Sequence, residues 1–155
     1  MSDKGLAVLG QLFDAKHLYA ISGGSVIVKE EDTQATLRQL QIDGVGSNAV
    51  VLRFDKAGHQ TPFADKAVRQ ACDAILFCQF GDEGYILCVE LKSGEPAREK
   101  YATQLLSAQC FVDYVVSIVK HFHGIEDCAQ WQRRFFVFHD ASKARIRKDL
   151  TLKTL

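Results

Sequence analysis

Apolar positions along this chain of 155 residues follow two rhythms, and these divide it into predicted elements. Near the N-terminus, Leu6, Leu9, Phe13 and Leu18 recur at helical spacing and predict a short amphipathic helix over residues 4–20. Ser22-Gly23-Gly24-Ser25 ends that pattern, and Ser25 to Val28 reads as a strand. Residues 29–47 fit neither period cleanly: Leu37, Leu40 and Ile42 stand among polar neighbours, and Asp43 to Asn48 reads as loop. Ala49 to Phe54 is an apolar run of strand type, followed by a polar loop from Lys56 to Pro62.

The clearest local signal comes next. Two apolar runs, Asp73 to Phe80 and Tyr85 to Leu91, flank the turn residues Gly81-Asp82-Glu83-Gly84 and predict a β-hairpin. Both faces of the ribbon are apolar, with Leu76, Cys78, Leu87 and Val89 on one and Ile75, Phe77, Ile86 and Cys88 on the other. Strands of that kind belong in the middle of a sheet with layers above and below. If Gly81 lies opposite Gly84, Ile75 faces Glu90 and Asp73 faces Lys92. Alternation along a strand then brings Asp73, Glu90 and Lys92 to one face at the open end of the ribbon.

Ser93-Gly94-Glu95-Pro96 breaks the second strand, and Pro96 with Glu99 suits a helix start. Tyr101, Leu105, Ala108, Val112, Val115 and Val119 recur at spacings of three and four and predict a helix about 20 residues long. Arg133 to Asp140 reads as a strand and residues 141–150 as a basic surface helix. The order strand, strand, helix, strand predicts a parallel crossover and a mixed sheet covered by a helix on at least one face.

Bulk properties narrow the function. Length fits one domain, and 47% apolar with 25% charged residues is the composition of a globular protein. The formal net charge is zero, so contact with a polyanion must come from local clusters of Lys and Arg. The five cysteines form no CxxC pair, and four lie in apolar runs, where a thiol acts as a small buried hydrophobe. Their odd number and the lack of a signal-peptide pattern lead to the expectation of a reducing cytoplasm. No run approaches the ~18 apolar residues of a membrane span. Gly44-x-Gly46 lacks the rest of a phosphate-binding loop, no GxSxG elbow occurs, and His121 and His123 point in different directions on a helix.

Two carboxylates and an ammonium converging on an otherwise apolar ribbon are costly to bury, and a divalent cation would offset that cost. Asp73, followed by Glu90-Leu91-Lys92 on the next strand and then by a long helix and a further strand, resembles the PD-(D/E)xK nuclease superfamily. The resemblance covers residues 49–140 as the core of a single domain spanning 1–155. It implies a restriction-endonuclease-like α/β fold, three-layer α/β/α, with a central mixed sheet of four to five strands. It implies a metal-dependent deoxyribonuclease, an endonuclease of anti-phage defence or DNA repair. Asp73, Glu90 and the carbonyl of Leu91 would hold Mg²⁺, with Mn²⁺ able to substitute, and Lys92 would act on the attacking water. Cys72 stands where the family motif has proline. Asp14, Glu30 and Glu31 are alternatives for a further acidic ligand. Gln104 and Lys100, four apart on the helix, would point at the site; Lys66, Arg69, Arg98 and Lys100 would contact DNA phosphates. A homodimer, or membership of a larger nuclease or defence complex, is the expected assembly, with no membrane partner. Two other readings stand beside this one: a catalytically silent nuclease-fold subunit binding nucleic acid or a larger partner, and an RNA-processing nuclease.

Overall fold

The computed structural model describes residues 4–54, 63–94 and 97–140, apart from the Lys100 side chain. The loop expected at 56–62, the Glu95-Pro96 helix start and the basic segment 141–150 with its neighbour Lys153 lie outside the described residues. The chain is mixed α/β; the described residues form a four-stranded mixed sheet, a two-stranded sheet and two α-helices.

Helix α1 spans Lys4–Leu12 and stops well short of the expected residue 20. Asp14 accounts for the break. Its side chain accepts the Lys16 N–H at 3.1 Å and caps a 3₁₀ turn, Ala15–His17. Short polar side chains compete with the helix ladder in this way. That bond, aided by the Lys16 ammonium, holds the exposed Asp14 carboxyl below its ordinary pKa. Leu18 then bridges to Leu52 instead of continuing the helix.

Strands β1 (Ser25–Lys29) and β2 (Gln39–Asp43) form the antiparallel two-stranded sheet. β2 falls in the stretch that the sequence left unassigned. Strands β3 (Val50–Arg53), β4 (Ala74–Phe80), β5 (Glu83–Lys92) and β6 (Gln132–His139) form the larger sheet in that order. β3 to β5 make an antiparallel meander, and β6 runs parallel to β5 as the crossover reading expects.

The hairpin register differs from the expected one. Phe80 pairs with Glu83, which puts Ile75 opposite Cys88 rather than Glu90. The loop is Gly81-Asp82, with positive φ confined to Gly81, the pattern of a type II′ turn. Every partner moves by two residues, so each side chain keeps its face. Ile75, Phe77, Ile86 and Cys88 face one core, and Ala74, Leu76, Val89 and Leu91 the other.

Helix α2 spans Arg98–His123 and ends at Gly124, whose φ of +67° allows its N–H to return to Lys120 O. Its Ala108, Val112, Val115 and Val119 pack with Leu6 and Leu9 of α1 against the first core. By length and composition Tyr101–His123 is apolar enough to cross a membrane, contrary to the sequence expectation. In this fold its valine face is committed to the sheet.

Both described helices thus share one face. The opposite face is covered by β1 and β2 through Val26, Val28, Leu40 and Ile42. Among the described residues the layering is helices, sheet and small sheet, rather than α/β/α. The β1–β2 pair can do this because its apolar residues alternate onto one side.

Trp131, buried just before β6, lies flat against Gly84. A Cβ at Gly84 would meet the indole at 2.4 Å. Gly84→Ala is therefore expected to destabilise the protein by about 1–3 kcal/mol in urea unfolding; an unchanged midpoint would contradict this packing.

Candidate metal and phosphodiester site

The site forms where the β4–β5 ladder runs out. Asp73 immediately precedes β4, and its backbone spans two neighbours. Its N–H donates to Val89 O at 3.0 Å, and its carbonyl accepts from Phe54 N–H at 3.3 Å. Beyond Val89, β5 has no β4 residue beside it, which would leave the Leu91 N–H without a strand partner. The Asp73 side chain replaces that partner: Leu91 N–H donates to Asp73 Oδ2 at 2.6 Å. A strand residue turns its N–H and C=O to the same side, so the Leu91 carbonyl is turned toward Asp73 too.

Alternation puts Glu90 and Lys92 on one face of β5, and the Asp73 carboxylate meets the same end of that strand through Leu91 N–H. Asp73 and Glu90 are 5% and 2% exposed, so both carboxyls are withdrawn from bulk water. Lys92 Nζ lies 2.5 Å from Glu90 Oε1, with the lysine side chain partly exposed. Burial pushes the Glu90 carboxyl above its ordinary pKa. The Lys92 ammonium and the Gln104 amide oppose this shift, while the charge of Glu30 adds to it. Glu30, one of the three acidic alternatives, thus has a charge that bears on Glu90. It sits just past β1, its Oε1 accepting from Asp32 N–H, in a loop tied to the end of β5 by Thr36 N–H to Ser93 Oγ at 2.8 Å. The Asp14 carboxylate is instead taken up by Lys16.

Gln104 lies on α2 facing this end of the sheet. Its Nε2 donates to Ala71 O at 3.1 Å, and Ser107 Oγ donates to Val68 O at 2.9 Å. These two bonds fasten the segment leading into Asp73 to the helix. Lys66, Arg69 and Arg98 are exposed, the first two in the turn before that segment and the third in the first turn of α2.

Two buried acceptors, Glu90 Oε2 and Gln104 Oε1, have no hydrogen-bond partner among the described residues. Acceptors of this kind suit a cation or its water ligands. The described residues contain no group of three or more His, Cys, Asp or Glu side chains that could hold a metal. That argues against a zinc-type cage. Two carboxylates, a backbone carbonyl and an amide fit Mg²⁺, which keeps several of its own waters. A groove of about 470 Å³ lies along Leu106, Cys110 and Tyr114 rather than on these carboxylates.

The cysteines take no part in this chemistry. The neighbouring Cys88 thiol, then burial and the nearby charges of Glu90 and Asp73, hold the Cys72 thiol well above its usual pKa. Burial pushes Cys78 and Cys128 up to about 11. These three remain protonated thiols, the buried hydrophobes that the sequence implied.

Searches against protein-family models, curated proteins and solved structures found no match to this chain.

A raised Glu90 pKa has a defined sign in stability. The folded protein holds the Glu90 proton more tightly than the unfolded chain does, so this group contributes stability at low pH and loses it as pH rises through the folded value. Glu90→Gln mimics the neutral form. It should raise the melting temperature at pH 7 in EDTA, the gain shrinking as pH falls toward about 4.3, the ordinary glutamate value. A variant less stable than wild type at pH 7 would contradict the burial cost.

Proposed function

We propose that this chain is a metal-dependent phosphodiesterase that hydrolyses nucleic acid, DNA before RNA, in the manner of the PD-(D/E)xK nucleases it resembles. One observation carries the reading. Asp73 is clasped to Leu91 N–H, while Glu90 and Lys92 project from the same end of the same strand. The element order supports it as well: a helix, the β1–β2 pair, a three-stranded meander, a helix and a further strand parallel to the last of the meander. On this reading the fold is restriction-endonuclease-like, with a two-stranded sheet in place of one helical layer.

Asp73, Glu90 and the Leu91 carbonyl would hold Mg²⁺ or Mn²⁺. Such an ion, when bound, makes its water more acidic and offsets charge on the phosphate oxygens. The remaining roles belong to the chain. Lys92, with Nζ beside Glu90, orients the attacking water and balances the phosphate charge. Gln104 keeps the backbone before Asp73 in place. Lys66, Arg69, Arg98 and Lys100 supply phosphate contacts that weaken as salt rises. Defence against foreign DNA, or repair, is the biological setting that the resemblance favours.

One observation favours a second reading. The Glu90–Lys92 pair is closed and both carboxylates are almost fully buried. A silent subunit would use the cluster only to terminate the sheet and would not bind metal.

The two readings separate on supercoiled plasmid, linear duplex, single strands and RNA incubated with Mg²⁺ or Mn²⁺. The enzyme reading expects metal-dependent cleavage that Lys92→Ala reduces roughly 10²–10⁴-fold, with the fold intact by circular dichroism. No cleavage of any substrate, together with no calorimetric heat on adding Mg²⁺, would overturn it in favour of the silent subunit.

A further inference from the structure

The outward side of α2 has a composition that a solvated helix does not need. Leu106, Cys110 and Tyr114 form an i, i+4 ridge turned away from the sheet; Leu106 is 62% and Tyr114 64% exposed, and Cys110 is exposed. A groove of about 470 Å³ runs along one flank, walled by Phe63 and Val68. A second, of about 300 Å³, runs along the other, walled by Ala102 and Phe135. Among the described residues no charged side chain lines either groove. The acid beside the ridge, Asp113, is ion-paired with Arg133.

We propose that this face is a homodimer interface in which α2 packs against α2 of a second copy about a two-fold axis. Three observations point to a copy of this chain rather than another occupant. First, an i±4n ridge with an apolar groove on each side is complementary to itself, and two such ridges interlock at about −50°. A two-fold interface requires this self-match. Second, the exposed parts of Phe63, Val68, Leu106, Tyr114 and Phe135 amount to on the order of 600 Å² of apolar surface per protomer, at the upper end for a monomer's largest patch. A stable interface buries about 800 Å² per partner, so this patch would form its apolar centre with a polar rim around it. Third, residues 141–155 of the same chain are rich in Lys and Arg, including Lys143, Arg145, Arg147 and Lys148, and uncharged grooves do not attract them.

Cys110 is the small side chain between the two large ones, so the ridges cross most closely there. The other four cysteines are buried, which leaves Cys110 as the reporter. Sedimentation equilibrium of the full chain in reductant should give twice the monomer mass at micromolar concentration. A Leu106→Lys, Tyr114→Lys double variant should sediment as a monomer with an unchanged melting curve. Mild oxidation should trap a disulfide-linked dimer that Cys110→Ser abolishes. A wild-type monomer at every concentration, a dimer that survives the double variant, or a dimer that forms no Cys110 adduct would each overturn the proposal. None of these readouts depends on nuclease activity, so the interface and the site stand or fall separately.

Discussion

The hydrogen bond from Leu91 N–H to the Asp73 carboxylate is the contact on which the arrangement depends. β4 is three residues shorter than β5, and the longer strand would end with an unpaired N–H in a nearly dry environment. An unpaired buried donor costs about 1–3 kcal/mol. A carboxylate placed one residue before β4 removes that cost and fixes where Asp73 must lie. Glu90 and Lys92, either side of Leu91, then lie at the same strand end and share a face of β5 by alternation. Bringing Asp73 to this strand end is therefore a consequence of how the sheet closes, whatever chemistry is built upon it.

That closure leaves an electrostatic tension. Glu90 is paired with Lys92, yet burial still favours its neutral form. Its second oxygen and the Gln104 carbonyl oxygen remain buried acceptors without a described donor. A structural ion pair that had been optimised for stability would not need two further acceptors beside it. A hydrated cation would relieve both, which is why the metal reading accounts for more of the local geometry than a simple strand-end salt bridge does.

What the sequence made legible followed from periodicity. The β4–β5 hairpin and its two faces, the long helix and the β6 strand appear where the apolar spacing puts them. The hairpin register was out of reach, because Gly81 and Gly84 both offer turn chemistry and only the packing of Trp131 on Gly84 distinguishes them. The two-residue error kept the face of every paired residue, and Asp73 still reaches the end of β5, at Leu91 N–H. β2 was missed although Gln39-Leu40-Gln41-Ile42-Asp43 alternates strictly; two apolar residues are too few to separate a strand from a loop until β1 lies beside them. The first helix was overextended because Leu18 fits a helical spacing that Asp14 interrupts. Gln104 was visible by helical position, but its hold on Ala71, which steadies Asp73, needed the tertiary fold. So did the nearness of Glu30, which approaches from the far side of a loop.

The most direct measurement of the central claim is an amide nuclear magnetic resonance spectrum of the protein titrated with Mn²⁺. The account predicts that the paramagnetic ion first broadens the amide signals of Asp73, Glu90, Leu91 and Lys92, with Leu91 starting at low field because of its bond to the carboxylate. Broadening centred on other residues, or none at these four, would contradict it.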